Sequence, residues 1–138
     1  MKYIRRDLYL SSLVSMTGTP DIKIITGIRR CGKSVLLQFF IEHIKESEPD
    51  ANIIYINLQD LDADALREYR QLHLYCMEHY REGHRNVLVI DEVQLCGHFE
   101  LAINSLHSKG LFDIYITGSN AFLMSSDLAT LFPDVPWR

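Results

Sequence analysis

The sequence predicts an α/β fold, a four-stranded parallel sheet layered on both faces by helices. Three observations predict it. Four short runs rich in β-forming residues, Ile22 to Thr26, Ile53 to Leu58, Val87 to Asp91 and Phe112 to Thr117, are near-continuously apolar and do not alternate, as strands covered on both faces read. Longer amphipathic stretches lie between them, so strand and helix alternate. Each pair of successive strands is also separated by more than the dozen or so residues that a parallel crossover requires.

Taken in order, the first twenty residues hold an amphipathic piece (Leu8, Leu10, Leu13, Val14) that ends at Thr17-Gly18-Thr19-Pro20, where Gly and Pro break a helix. The first strand follows. Helical spacing then runs from Lys33 to Glu46, with Val35, Leu36, Phe39, Phe40 and Ile44 on the apolar side. After the second strand, Asp60, Asp62 and Asp64 read as an acidic lead-in and N-cap to a helix over 62–81. In that stretch Leu66, Tyr69, His73, Cys76 and Tyr80 recur as a face that packs on the sheet. His73, Cys76 and His79 could suggest a metal, but the same packing face accounts for their spacing and no fourth ligand is evident. The third strand leads into a helix over 98–108, with Leu101, Ile103 and Leu106 expected in the core, and then into the fourth strand. The tail at 131–138 carries two prolines and starts no further element.

Composition sets the scale. The 138 residues are 47% apolar and 23% charged, enough for one domain with its own core, which excludes a disordered or collagen-like chain. No apolar stretch approaches the roughly 20 residues of a membrane span, and the N-terminus lacks the features of a signal peptide, so a cytoplasmic protein without membrane contact is expected. Net charge is -4, with +2 over residues 1–50 and -6 over residues 51–138, and neither half is basic enough to support direct nucleic-acid binding. Three cysteines without a C-x-x-C pair fit a reducing compartment.

Directly after the first strand stands Gly27-Ile28-Arg29-Arg30-Cys31-Gly32-Lys33-Ser34, a full G-x-x-x-x-G-K-[ST] match between a strand and a helix. The glycines allow a loop whose backbone N–H groups turn toward phosphate oxygens, and a helix starting near Lys33 adds its positive dipole end. Lys33 is the candidate for the β- and γ-phosphates and Ser34 for Mg²⁺; Val35 completes the predicted nucleotide-binding stretch. Arg29 and Arg30 can either clamp a phosphate or partner or stay solvated, and Cys31 reads as a small loop residue.

The third strand ends in Asp91-Glu92, at the strand edge where open α/β sheets bind ligands. Asp91 has the hard oxygen that Mg²⁺ favours, and Glu92 can orient and polarise an attacking water. The fourth strand ends in Thr117-Gly118-Ser119-Asn120, placing hydroxyls and an amide on the same edge. These can contact the γ-phosphate or the water, or cap a helix, and both roles can coexist. Guanine specificity is disfavoured, because Asp91-Glu92-Val93-Gln94 replaces D-x-x-G and no Asn-Lys dipeptide occurs.

These residues together resemble the prokaryotic AAA-type P-loop ATPases, in which an ATPase domain precedes a separate C-terminal domain. The resemblance runs from about Tyr3 to Thr130 and includes Ile116-Thr117-Gly118-Ser119-Asn120 and the run Ser125-Ser126-Asp127-Leu128-Ala129-Thr130. It implies a three-layer P-loop NTPase sandwich with the fourth strand between the first and third. It also implies Walker A and Walker B motifs, ATP with Mg²⁺, Glu92 as the base-like catalytic residue and Ser119 or Asn120 as a sensor. The segment around Tyr3 to Tyr9 would help form an adenine pocket, and a protein partner or a homo-oligomer is in keeping with the family.

Members usually continue through a Gly-Arg stretch into a fifth strand, whereas this sequence diverges over 131–138. The expectation is therefore an AAA-like domain over 1–130 with a divergent tail, the fifth strand and lid missing. ATP hydrolysis is the function expected. A nucleotide-binding or interaction module with little turnover is the alternative, and a small-molecule phosphotransferase is a third reading.

Overall fold

Four strands, β1 (Lys23–Ile25), β2 (Asn52–Asn57), β3 (Asn86–Asp91) and β4 (Asp113–Thr117), make one sheet in the order β1-β4-β3-β2, with every neighbouring pair parallel. The fourth strand therefore lies between the first and third, as the resemblance implied. The computed structural model describes residues 22–25 and 30–118, and for 24–25 and 30–36 it describes the backbone alone. Expectations for the N-terminal amphipathic piece, the adenine-pocket segment, Gly27, Ile28, Arg29, Ser119, Asn120 and the tail at 131–138 lie outside the described residues.

Helices α1 (Arg30–Ser47), α2 (Tyr69–His79) and α3 (Phe99–Lys109) connect the strands, with short 3-10 turns at Leu61–Arg67 and Val93–Leu95. Alternate residues of a strand point to opposite faces, and the core divides accordingly. Val87, Val89 and Tyr115 pack under Leu37, Phe40 and Ile44 of α1. Leu88, Ile90, Ile114 and Ile116 pack on the other face against Leu72 and Cys76 of α2 and Ala102, Ile103 and Leu106 of α3. β3 and β4 are buried along their whole length, which is why their sequences read as continuous apolar runs. On the α1 face the rings of Phe40 and Tyr115 meet edge to face at 4.7 Å.

The helix expected over 62–81 is two elements. Glu68 takes an extended conformation (φ -99°, ψ 127°), pairs with Gly97 in an isolated parallel bridge, and caps α2 by accepting a hydrogen bond from the Gln71 N–H at 2.9 Å. A residue in that conformation cannot continue a helix, and its carboxylate satisfies an orphan donor of the next one. Asp60 plays the matching part for the preceding 3-10 turn, accepting from Asp62 N–H at 3.1 Å.

The break also rotates the packing face. Leu72 and Cys76 are fully buried, whereas His73 turns aside to pair with Ser105 of α3, Nε2 to Oγ at 3.0 Å. His79 Nδ1 lies 2.8 Å from the carbonyl of Tyr75, so His73, Cys76 and His79 are each occupied by the fold itself. On α3 the core face is Phe99, Ala102, Ile103 and Leu106; Leu101, expected inside, is 51% exposed because it falls one residue off that stripe. Gly110 (φ 66°) ends α3 in the left-handed region that a glycine adopts without steric cost.

At the N-terminal ends of the strands, Asp113 is buried and accepts from Lys23, Arg85 and the Tyr115 hydroxyl, while Arg85 also pairs with Glu48. Burial acts against the Arg85 charge, but its hydrogen bond to Asp113 and the charges of Asp113 and Glu48 prevail and raise its pKa. This cluster joins β1, β4 and the lead into β3 at the sheet edge opposite the candidate site.

Candidate functional site

The C-terminal edge of the sheet is where the sequence motifs meet. In register, Ile25 of β1 lies beside Thr117 of β4, and Asp91 of β3 beside Asn57 of β2. β1 ends at Ile25 and α1 begins at Arg30, so the N-terminal end of α1 lies within a short span of the same edge. The helix begins earlier than the sequence suggested: the backbone of Arg30, Cys31, Gly32, Lys33, Ser34 and Val35 already forms its first turns. The N–H groups of such a first turn have no partner within the helix and carry its positive dipole end.

Strand parity fixes the facing of the two key polar groups. Asp91 follows Val89 by two residues and Thr117 follows Tyr115 by two, so both extend the face that α1 covers. The Asp91 carboxylate is buried, 2% exposed, and accepts a hydrogen bond from the Thr117 hydroxyl. That hydroxyl in turn accepts the backbone N–H of Glu92 at 3.2 Å. One buried side chain on β4 thus ties together the two consecutive acids at the end of β3.

Glu92 itself is left-handed, φ 57° and ψ 51°, an uncommon conformation for a non-glycine residue and one that costs about 1–3 kcal/mol. It ends the strand and starts the 3-10 turn, with its carbonyl accepting from Leu95 N–H at 3.1 Å. The turn directs Gln94 back onto it: Gln94 Nε2 donates to Glu92 Oε1 at 3.2 Å. On β2, Tyr55 is half-buried and its phenol pKa is pushed up, first by burial and then by the negative charge of Asp91.

A carboxylate oxygen such as that of Asp91 is a donor that hard cations favour. Asp91 contributes a buried carboxylate oxygen, and Ser34 stands in the first turns of α1 at the same edge. Among the described residues no group of three or more His, Cys, Asp or Glu gathers into a metal centre. Mg²⁺ in nucleotide sites needs no such group, because it takes one or two protein oxygens together with substrate phosphates and waters.

Of the residues singled out from the sequence, the structure brings Asp91, Glu92 and Thr117 into direct contact. It places the backbone of residues 30–35 at the same sheet edge. The side chains of Lys33 and Ser34, like Ser119 and Asn120, lie outside what is described. Sequence reasoning missed Gln94 and Tyr55. The Val-Gln that follows Asp91-Glu92 was a usable signal for the first; nothing in the sequence marked the second.

A parallel sheet ordered β1-β4-β3-β2, with a phosphate-loop sequence that follows β1 and runs into the first turns of α1 and an acidic pair ending β3, defines an AAA-type P-loop NTPase domain, a nucleotide-binding fold. The comparisons agree, for residues 19–135 match the model of a family described as "AAA domain". The chain belongs to that AAA domain family. It is 33% identical over 130 residues to an uncharacterised protein of Haemophilus influenzae, covering 93% of this chain and 32% of that protein. It is 31% identical over 135 residues to the uncharacterised protein MJ1544 of Methanocaldococcus jannaschii, covering 94% of this chain and 27% of that one. The chain thus spans about a third or less of the length of these curated relatives. Among solved structures it is similar in fold to domain III of the Thermotoga maritima replication initiation protein DnaA. That match has a TM-score of 0.57 at 22% identity and covers 91% of this chain and 58% of that one.

Proposed function

We propose that this chain binds ATP with Mg²⁺ and hydrolyses it to ADP and phosphate. The observation that carries the reading is the tie between β3 and β4: a buried Asp91 held by Thr117, with Glu92 fixed beside it at the edge where α1 begins. In this reading Gly27 to Val35 cradle the phosphates, and Lys33 neutralises charge on the β- and γ-phosphates. Ser34 and Asp91 hold Mg²⁺, which when bound neutralises phosphate charge as the γ-group departs. Glu92 accepts a proton from a water whose oxygen bonds to the γ-phosphorus. The bond from that phosphorus to the bridging oxygen breaks, and ADP leaves with the electron pair. Ser119 and Asn120 are proposed to sense the γ-phosphate from the end of β4.

The proposed domain is residues 1–130, with 131–138 as a divergent tail. A second copy or another protein is proposed as the source of any further cationic group. The experiment is a titration of the chain with ATP and Mg²⁺, repeated for Lys33→Ala, together with single-turnover hydrolysis by the parent and by Glu92→Gln. ATP bound equally well after Lys33→Ala, or hydrolysis untouched by Glu92→Gln, would sink the proposal.

A further inference from the structure

Gln94 stands in an unusual position for an ordinary turn residue. Its amide N–H reaches the Glu92 carboxylate, Nε2 to Oε1 at 3.2 Å, across only two residues of backbone. The other arm of the same amide, Oε1, is buried and has no hydrogen-bond partner, the single such side-chain atom among the described residues. The assignment of the two arms follows from charge, because exchanging them would set the amide oxygen against the carboxylate. A buried acceptor left unmatched is costly, so such an atom beside a site asks for a donor that arrives from outside the fold.

We infer that Gln94 is a positioning residue for the hydrolytic step: its N–H fixes the Glu92 carboxylate, and its Oε1 accepts a hydrogen from the attacking water. The inference rests on the proposed hydrolysis and deepens it. A water has two O–H bonds and needs a lone pair directed at phosphorus. If Glu92 takes one O–H and Gln94 Oε1 takes the other, the water's rotation is set and its lone pair is directed. An amide donates to the carboxylate through its nitrogen and accepts from the water through its oxygen, and that pairing asks for no proton movement on Gln94 itself. The left-handed Glu92 has its place in this arrangement. Its strained turn brings the 3-10 segment Val93–Leu95 directly behind the acid, and the Thr117 hydroxyl on Glu92 N–H keeps the turn in place.

The test compares Gln94→Leu and Gln94→Glu with the parent chain. Gln94→Leu keeps the side chain's bulk and loses both polar arms. Gln94→Glu keeps an acceptor, loses the donor and sets a second carboxylate against Glu92. Single-turnover hydrolysis of ATP should fall about 10- to 100-fold in both. Affinity for ADP and for a non-hydrolysable ATP analogue should stay within about twofold, a kcat loss without a binding loss. In the parent, the side-chain amide resonance of Gln94 should move on Glu92→Ala, whether or not nucleotide is present. Parent-like hydrolysis in either variant overturns the inference and leaves the proposed function standing, as does a Gln94 resonance indifferent to Glu92→Ala. Equal losses of binding and rate overturn it as well, because they would assign Gln94 a structural part. A parent chain that binds no nucleotide, or binds it without turnover, fails the proposed function itself.

Discussion

Thr117→Val removes one hydroxyl and changes almost nothing else in shape, so its effect can be worked from two hydrogen bonds. The Thr117 hydroxyl donates to the buried Asp91 carboxylate and accepts the Glu92 N–H. A hydrogen bond to a charged group is worth about 1.5–3 kcal/mol, and a neutral one about 0.5–1.5 kcal/mol. Loss of both gives a destabilisation of about 2–4 kcal/mol, a large share of the roughly 5–15 kcal/mol total expected of a domain. For 138 residues at about 2.1 cal/mol/K each, that corresponds to a fall in Tm of about 7–14 °C. Thr117→Ser is the control: it keeps the hydroxyl and loses a methyl group worth about 0.8 kcal/mol. Urea unfolding of the three proteins, with a thermal melt alongside, is the assay. A valine variant within about 0.5 kcal/mol of the parent, or no less stable than the serine variant, would refute the reasoning.

Glu92→Gly should raise stability by about 1 kcal/mol, because glycine adopts the left-handed backbone of this position without strain, less whatever the contact with Gln94 contributes. The same urea series reads it, and a loss of stability would place the strain elsewhere. The thiols of Cys76 and Cys96 are pushed up to about 12 and about 11, Cys76 by burial and Cys96 by burial and then by Glu68 and Glu100. Both folded values exceed the ordinary thiol value near 9, so the neutral thiols favour the folded state. That contribution is complete below about pH 9 and is lost as pH rises toward 11–12, at up to about 1.4 kcal/mol per pH unit for each thiol, with the raised Tyr55 adding to the decline above its ordinary value. Unfolding free energy measured from pH 7 to 11 should therefore be level and then fall. The Cys76→Ala, Cys96→Ala double variant should start lower and fall less steeply. A parent curve still level at pH 11 would contradict the burial of these groups.

Much of the fold was legible because burial on two faces leaves a plain mark: Val87 to Ile90 and Ile114 to Ile116 are uniformly apolar since every one of them is inside. The acids after Ile90 stood out for the same reason, as the first polar residues past a buried run. What escaped the sequence depends on contacts between residues far apart along the chain, or on single backbone angles. Glu68 interrupts a stretch whose periodicity looks helical on both sides, and only its pairing with Gly97 reveals the break. Lys23 and Asp113 are 90 positions apart, and only the parallel register of β1 and β4 brings them together. The left-handed turn at Glu92 carries no composition signal, so the return of Gln94 onto it was not foreseeable from spacing alone. Lys33 and Ser34 were read from a motif expected to open a helix near Lys33, and α1 already begins at Arg30.

The central claim is that the sheet edge joining α1, Asp91 and Glu92 binds and hydrolyses ATP, and single-turnover hydrolysis of bound ATP with Mg²⁺ tests it most directly. The account predicts that the parent converts bound ATP to ADP and phosphate. It predicts that Glu92→Gln binds ATP as tightly but hydrolyses it at least about 100-fold more slowly, and that Lys33→Ala loses binding. A parent that leaves bound ATP intact, or a Glu92→Gln variant that hydrolyses it at the parent's rate, would contradict the account.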